Sequence, residues 1–267
     1  MDFNRLLSDQ QHGFRAKRST TSQLLRVLDI WTEWLEEGKN FDVMYMDFAK
    51  AFDSVPHERL LKNIEAYGIS GNLLKWTESF LKGRQQRVKV NSVTSEWKEV
   101  RSGIPQGSVL GPIFFIIYIN DLPENMCIHV QMYADDTKIF GTVNNDAEGK
   151  VLQKDLLSAL DWAKKWQLRF NVEKCKVMHY GSSNQQRQYR MVTEGGSWEM
   201  CTTSQEKDLG ILFTPKMKFT EHIASAVNKA NKITGIIRRS FKYMDCEMFT
   251  KLYKGLVRSH LESENKD

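Results

Sequence analysis

Leu24, Leu25, Leu28, Trp31 and Leu35 recur at roughly helical spacing and predict a helix that Thr20 to Ser22 can cap. The stretch 40–48, "NFDVMYMDF", is almost continuously apolar, as a strand in the middle of a sheet is. Pro56 then precedes a helix with Leu60, Leu61, Ile64 and Tyr67 on one side, closed by Gly68, and "NLLKWTESFL" predicts another that ends at Gly83. In 84–102, Val88 and Val90 alternate with Arg87 and Lys89 ahead of a polar turn, which predicts a hairpin. The apolar run behind "IPQG" is too long for one strand and predicts a buried helix over about 108–121, with Pro112 in its first turn. "IHVQMYADDTKIFG" predicts a second hairpin, 146–168 an amphipathic helix with Leu152, Leu156, Leu160 and Trp166, and "KCKVMHYG" and "DLGILF" two short strands. Pro215 marks a break, and 219–260 predicts two basic helices. Hairpins mixed with helices, without regular βα alternation, indicate an α+β fold.

Composition changes this picture little. With 267 residues, 41% of them hydrophobic, the chain can bury a sizeable core in one large domain or a few subdomains. The net charge of +5 is compatible with nucleic-acid binding but does not require it. Cys127, Cys175, Cys201 and Cys246 form no CxxC pair, so the expectation is free thiols in a reducing, intracellular setting. The N-terminus lacks the apolar core of a signal peptide, and the longest apolar run, 113–119, is too short to span a bilayer, so no membrane partner is expected.

The chemistry concentrates at "YADD". Asp135 and Asp136 stand side by side at the tip of an apolar hairpin, where each raises the other's pKa. A solvated turn is the plain alternative, since Asp tolerates turns well. A hard divalent cation such as Mg²⁺ would neutralise the pair directly. Asp47, at the end of the apolar stretch 41–46, is the candidate third acid, although it could equally cap the helix that follows. If the two segments are neighbours in a sheet, Asp47 and Asp135 meet at one end. Two ions roughly 3.5–4 Å apart could then bind an attacking hydroxyl and a leaving pyrophosphate.

"HGFRAKRST", "MDFAKAFDSVPHERLL", "SGIPQGSVLGP", "YADDTKIF", "FNVEKCKVM" and "KDLGILFT" occur in that order. Together these blocks, over about 8–240, resemble the reverse transcriptase domain of non-LTR (LINE-type) retrotransposons, near the jockey and CR1-like groups. The resemblance implies a right-hand polymerase: partial fingers at 1–40, a palm at 41–60 and 100–215 with an insertion at 61–99, and a partial thumb at 216–267. It implies an RNA-directed DNA polymerase working with an RNA template, a DNA primer, dNTPs and two Mg²⁺ ions, with Mn²⁺ as the alternative. Asp47 and Asp135 would bridge the ions, Asp136 would support them, and the Phe48 carbonyl would be a further ligand. Phe52 matches the ring that excludes a 2′-hydroxyl, though it could be an ordinary core aromatic. Gln106 and Gly107 match the block at the incoming nucleotide. Arg15 and Arg18, or Lys17 in their place, match the triphosphate grip, and Lys50 and Ala51 lie where the triphosphate would pass. Lys174 matches the lysine that protonates pyrophosphate, with Lys176 as the competitor. Tyr133, Leu209 and Gly210 match the primer grip.

Against the family's full pattern, the expectation is a domain truncated at both ends, without the upstream fingers elements, an endonuclease or a Cys/His knuckle. Two alternatives stay open: an RNA-directed RNA polymerase, which Asp47, Asp53 and the YxDD turn partly fit, and a noncatalytic nucleic-acid-binding remnant. Phe52 and "PQGSVLGP" argue against the former.

Overall fold

A computed structural model describes residues 6–262. In chain order, the first half runs α1 Thr20–Glu36, β1 Phe41–Met46, α2 Ala51–Ser54, α3 His57–Ala66 and α4 Gly71–Leu81. A small extension follows, β2 Gln85–Gln86, β3 Lys89–Val90, β4 Val93–Thr94 and β5 Lys98–Glu99, and then α5 Leu110–Tyr118. Next come β6 His129–Tyr133, β7 Asp136–Thr142, α6 Asp146–Trp166, β8 Lys176–Tyr180, β9 Arg190–Thr193, β10 Gly196–Glu199 and β11 Cys201–Thr202. The chain divides into two compact units, the first ending at Thr202 and the second beginning at Thr203. That boundary falls inside the stretch expected to be palm.

The first unit is built on a five-stranded sheet of order β11-β8-β1-β7-β6, antiparallel except for the β11–β8 pair. Every residue of β1 is buried, which is what the apolar run 40–48 predicts for a strand covered on both faces. Trp31 of α1 packs on one face, its ring 5.7 Å from Phe41, 5.6 Å from Phe140 and 5.3 Å from Tyr180. On the opposite face Met44, Met46 and Ile139 join Phe114 and Phe115 of α5 and Leu152, Leu156 and Leu160 of α6. The one acid inside β1, Asp42, is buried but satisfied. It meets His179 Nδ1 at 2.7 Å and accepts hydrogen bonds from Asn184 Nδ2 at 2.8 Å and Tyr189 Oη at 2.6 Å.

Within the second unit, β12 Glu206–Asp208 and β13 Ile211–Phe213 pair antiparallel. The helices α7 Thr220–Ser240, α8 Cys246–Leu252 and α9 Arg258–Leu261 follow, with one π-helical turn over Tyr253–Val257 between the last two. Ala230, Ile237 and Val257 form its small core.

Three elements differ from the sequence expectation. The cap of α1 is Ser19, one residue earlier. Its Oγ accepts from Ser22 N at 3.1 Å while Ser22 Oγ accepts from Ser19 N at 2.9 Å, a reciprocal capping box. "DLGILF" is not one strand, because Leu209 (φ 46°) and Gly210 (φ 98°) turn the chain between β12 and β13. The β9–β10 hairpin departs from the expectation; its signal is the turn at Glu194–Gly195 between two four-residue strands. Among the described residues no helix is long and apolar enough to cross a membrane.

Trp31 is fully buried among three aromatic rings, so Trp31→Ala is expected to cost about 3–5 kcal/mol, read as a lowered urea midpoint at unchanged slope.

Candidate functional site

The site forms where β1 ends. Antiparallel register sets Met46 against Thr137, and Tyr133 pairs with Asp136 across the two-residue turn Ala134–Asp135. Asp47 leaves β1 at that same end of the sheet. The chain after it is held by its pairing with 169–171. Asn171 N donates to Asp47 O at 2.7 Å, Ala49 N donates to Arg169 O at 2.7 Å, and the rings of Phe48 and Phe170 stack at 4.3 Å. Cys175 lies beneath, and Asp47 N donates to its Sγ at 3.5 Å. Burial, with the charge of Asp47 adding, raises this thiol to about 11, so Cys175 is neutral packing.

Asp47 and Asp135 feel one another. The Asp135 carboxyl is pushed above the usual carboxylate range by burial first and by the Asp47 charge as well, against a backbone hydrogen bond that lowers it. Asp47 Oδ2 is a buried oxygen that accepts no hydrogen bond. The Lys174 ammonium lies 3.1 Å from it as an ion pair, out of hydrogen-bonding alignment. Two carboxylates with a buried, unbonded oxygen form a donor set that fits a hard divalent cation. The third acid does not complete a cluster. Asp136 opens β7 and is exposed, and among the described residues no three His, Cys, Asp or Glu side chains are grouped to hold one ion. Neighbouring residues entering a strand alternate in direction, which separates Asp136 from Asp135. Of the two candidate lysines, Lys176 sits within β8 opposite Tyr45, while Lys174 is the one at Asp47.

The loop at 103–107 is tied to α2. Ile104 N donates to Phe52 O at 2.8 Å and Gln106 Nε2 to Asp53 Oδ1 at 2.9 Å. Gly103 has φ +89°, and a Cβ there would stand 2.7 Å from Asp53 O, so only glycine permits this approach. Its carbonyl accepts from Arg84 Nη2 at 2.7 Å and lies 2.8 Å from His57 Nε2, two side chains the sequence reading overlooked. Phe52 stacks on Phe115 at 4.5 Å and stays partly exposed, so it is both core and surface. Lys50 is exposed with φ 52°, Ala51 is buried, and Gly107 is exposed with φ 78°. The loop borders a cleft of about 440 Å³ lined by Asp53, Arg84, Gln86, Pro105 and Gln106 among others.

The basic segment 8–18 lies against the acidic turn, but its arginines are engaged with their own loop. Arg15 Nη1 donates to Ser8 O at 2.5 Å and Gln11 O at 3.3 Å. Arg18 donates to Asp9 O at 2.6 Å and Asp9 Oδ1 at 2.8 Å. Lys17 is exposed. The contacts to the turn come from residues the sequence reading passed over. Gln11 Oε1 accepts from Ala134 N at 2.9 Å, and Gly13 sits so close that a Cβ would stand 2.3 Å from Ala134 N. Ala134 has φ +55°, a left-handed conformation that costs a non-glycine residue about 1–2 kcal/mol. Tyr133 is half-buried beside it. Leu209 and Gly210 form the β12–β13 turn of the second unit.

The profile described as "Reverse transcriptase (RNA-dependent DNA polymerase)" matches residues 1–233. The chain is 30% identical over 233 residues to the RNA-directed DNA polymerase from mobile element jockey of Drosophila funebris, and 30% over 234 residues to that of Drosophila melanogaster. Each alignment covers 84% of this chain and 25% of the relative, so the chain spans about a quarter of the curated relatives it matches. Among solved structures, the telomerase of Candida tropicalis in complex with a TWJ fragment of telomeric RNA is similar in fold. The TM-score is 0.55 at 14% identity, covering 99% of this chain and 44% of that one.

His12, buried beside Gln11, is depressed to about 4 from 6.5, by burial first and then by the Arg18 charge, with Arg26 and Arg15 adding and a backbone bond to Gln10 opposing. The folded state therefore declines a proton that the unfolded chain takes up. Stability present above pH 6.5 is expected to be lost as pH falls toward 4, by about 2 kcal/mol after screening. In His12→Gln, denaturation midpoints measured across that window should be flatter than in the parent.

Proposed function

The chain belongs to the reverse transcriptase (RNA-dependent DNA polymerase) family, and from that premise we propose that it is the RNA-directed DNA polymerase domain of a non-LTR retrotransposon. It extends the 3′-hydroxyl of a DNA primer with dNTPs on an RNA template. The observation that carries this reading is the strand register, which brings Asp47 and Asp135, 88 positions apart in sequence, to one end of the five-stranded sheet. Asp47 and Asp135 would hold two Mg²⁺ ions, or Mn²⁺, with the Phe48 carbonyl as a further ligand and the exposed Asp136 supporting the pair from outside it. Such ions supply a more acidic 3′-hydroxyl and neutralise the leaving pyrophosphate.

The chain's own groups do the rest by position and charge. Lys174, beside Asp47, delivers a proton to the departing pyrophosphate oxygen. Phe52, backed by Phe115, presents its exposed edge where a 2′-hydroxyl would stand. Gln106 and Gly107 border the incoming nucleotide. Arg15 and Arg18 bring guanidinium forks suited to phosphate oxygens into the segment beside the acidic turn, with Lys50 and the Ala51 backbone as the companion triphosphate contacts. Tyr133 serves the primer end from the first unit, and for the Leu209–Gly210 turn of the second unit the primer-grip role rests on the family resemblance alone. The fingers (1–40), palm (41–60 and 100–215) and thumb (from 216) divisions belong to the same proposal.

Magnesium-dependent primer extension on an RNA template tests it. Asp135→Asn should lower extension on the order of 10²–10³-fold while primer–template affinity stays within threefold. Equal extension by parent and variant would overturn the reading. A parent that binds primer–template but never extends it would mark a noncatalytic binder, and one that prefers NTPs an RNA polymerase. Phe52→Val should raise NTP use relative to dNTP about 10–100-fold.

A further inference from the structure

We infer that Gln11 is a positioning residue for the turn that carries Asp135, its carboxamide fixing the backbone of Ala134. The inference rests on the polymerase reading for its consequence, not for its geometry. Segment 10–12 runs parallel to the outer edge of β6: His12 N donates to Met132 O at 2.8 Å and Met132 N donates to Gln10 O at 2.9 Å. These bonds cover an edge strand that would otherwise offer unpaired groups. They also place the Gln11 side chain, which is fully buried, under the tip of the β6–β7 hairpin.

There Gln11 Oε1 accepts from Ala134 N at 2.9 Å and from Gly13 N at 2.7 Å, and Nε2 donates to Ala134 O at 3.4 Å. Both backbone groups of one residue are thus engaged by one side chain. That residue is the left-handed one, φ +55°, immediately before Asp135. A turn of this kind favours glycine at such a position, and alanine persists there only where surroundings over-determine it. Gln11 and the close contact of Gly13 are those surroundings. A buried amide that meets both N–H and C=O cannot be replaced by an apolar side chain without freeing the turn. Release of Ala134 would let Asp135 leave its place near Asp47 while both carboxylates remain present. Gln11 touches neither acid through its side chain, so it acts through the turn.

The test compares parent, Gln11→Met and Asp135→Asn as full chains. Gln11→Met keeps length and loses the hydrogen bonds. Three readouts are taken: amide exchange at Ala134 against Ile139 within β7, Mn²⁺ affinity by electron paramagnetic resonance, and primer extension with kcat and KM separated. The expected result is at least a tenfold loss of Ala134 protection with Ile139 unchanged, Mn²⁺ binding weakened about tenfold, and kcat lowered more than tenfold with KM for dNTP within threefold. Unchanged Ala134 protection, or loss at Ala134 and Ile139 in equal measure, overturns the inference. Should the parent bind Mn²⁺ yet not extend a primer, the polymerase reading fails alone, and exchange and Mn²⁺ affinity still decide the role of Gln11. If Gln11→Met does not fold, adding Ala134→Gly should restore folding, because glycine holds that φ unaided. A double variant that stays unfolded overturns the inference as well.

Discussion

Register forces the two like charges together. Val43 faces Phe140 and Met44 faces Ile139 across β1 and β7, and both pairs are buried on opposite faces of the sheet. A slip by one residue would turn both apolar sets over, so the core tolerates a single alignment. Once that alignment is set, the end of β1 and the tip of the β6–β7 hairpin coincide. Asp47 and Asp135 have no freedom to separate along the strands. The β1–β8 pairing does the same for the other side, bringing the lead-in to β8, with Lys174 and Cys175, to Asp47. Hydrophobic burial thus supports an arrangement that electrostatics alone would oppose.

Positive-φ backbone gathers around this sheet end, strained at Lys50 and Ala134 and strain-free at Gly103. Lys50 (φ 52°) follows β1, Ala134 (φ 55°) turns the hairpin, and Gly103 (φ 89°) brings the loop onto Asp53. Each conformation has a tether nearby. Ser54 Oγ donates to Lys50 O at 2.8 Å, Gln11 binds Ala134, and Arg84 binds the Gly103 carbonyl. Strained residues persist when neighbours leave them no alternative, and the cost is recovered as a fixed geometry. The three bends aim separate segments, each distant in sequence, at one region of the first unit.

Much of this was legible in the residues. The apolar run of β1, the buried helix α5, the β6–β7 hairpin and α6 follow directly from period and length, because burial on one or both faces writes itself into the pattern. The exposed 84–102 hairpin, by contrast, was marked by its valine alternation and polar turn without burial behind them. Asp47 as an acid at the end of an apolar strand was legible for the same reason. Other features were not. The β9–β10 strands are only four residues each, too short for alternation to give a signal, and the Glu194–Gly195 turn marked them. Gln11 looked like one polar residue in a basic segment; its meaning depends on a contact across 123 positions. Arg15 and Arg18 carried the right charge, yet the geometry engages them first with Ser8, Asp9 and Gln11 carbonyls. Charge is visible in a sequence, but the way a guanidinium divides its donors is not. The step in direction between Asp135 and Asp136 was likewise hidden by their adjacency.

The contact between Lys174 and Asp47 is a weak one. Its side chain is 68% exposed, so its ion pair with Asp47 is worth about 0–1 kcal/mol and is screened by salt. A stronger, buried pair would hold the ammonium on the carboxylate and leave neither group for other partners. Exposure keeps the lysine's attachment light, as the proposed proton delivery to a phosphate oxygen requires. Asp47 is the reverse case: its backbone is fixed by Asn171 and its Oδ2 is buried, while its partner is exposed. The contrast between a fixed carboxylate and a loosely held ammonium follows from where each sits, one at the end of a fully buried strand and the other on the surface turn that leads into β8.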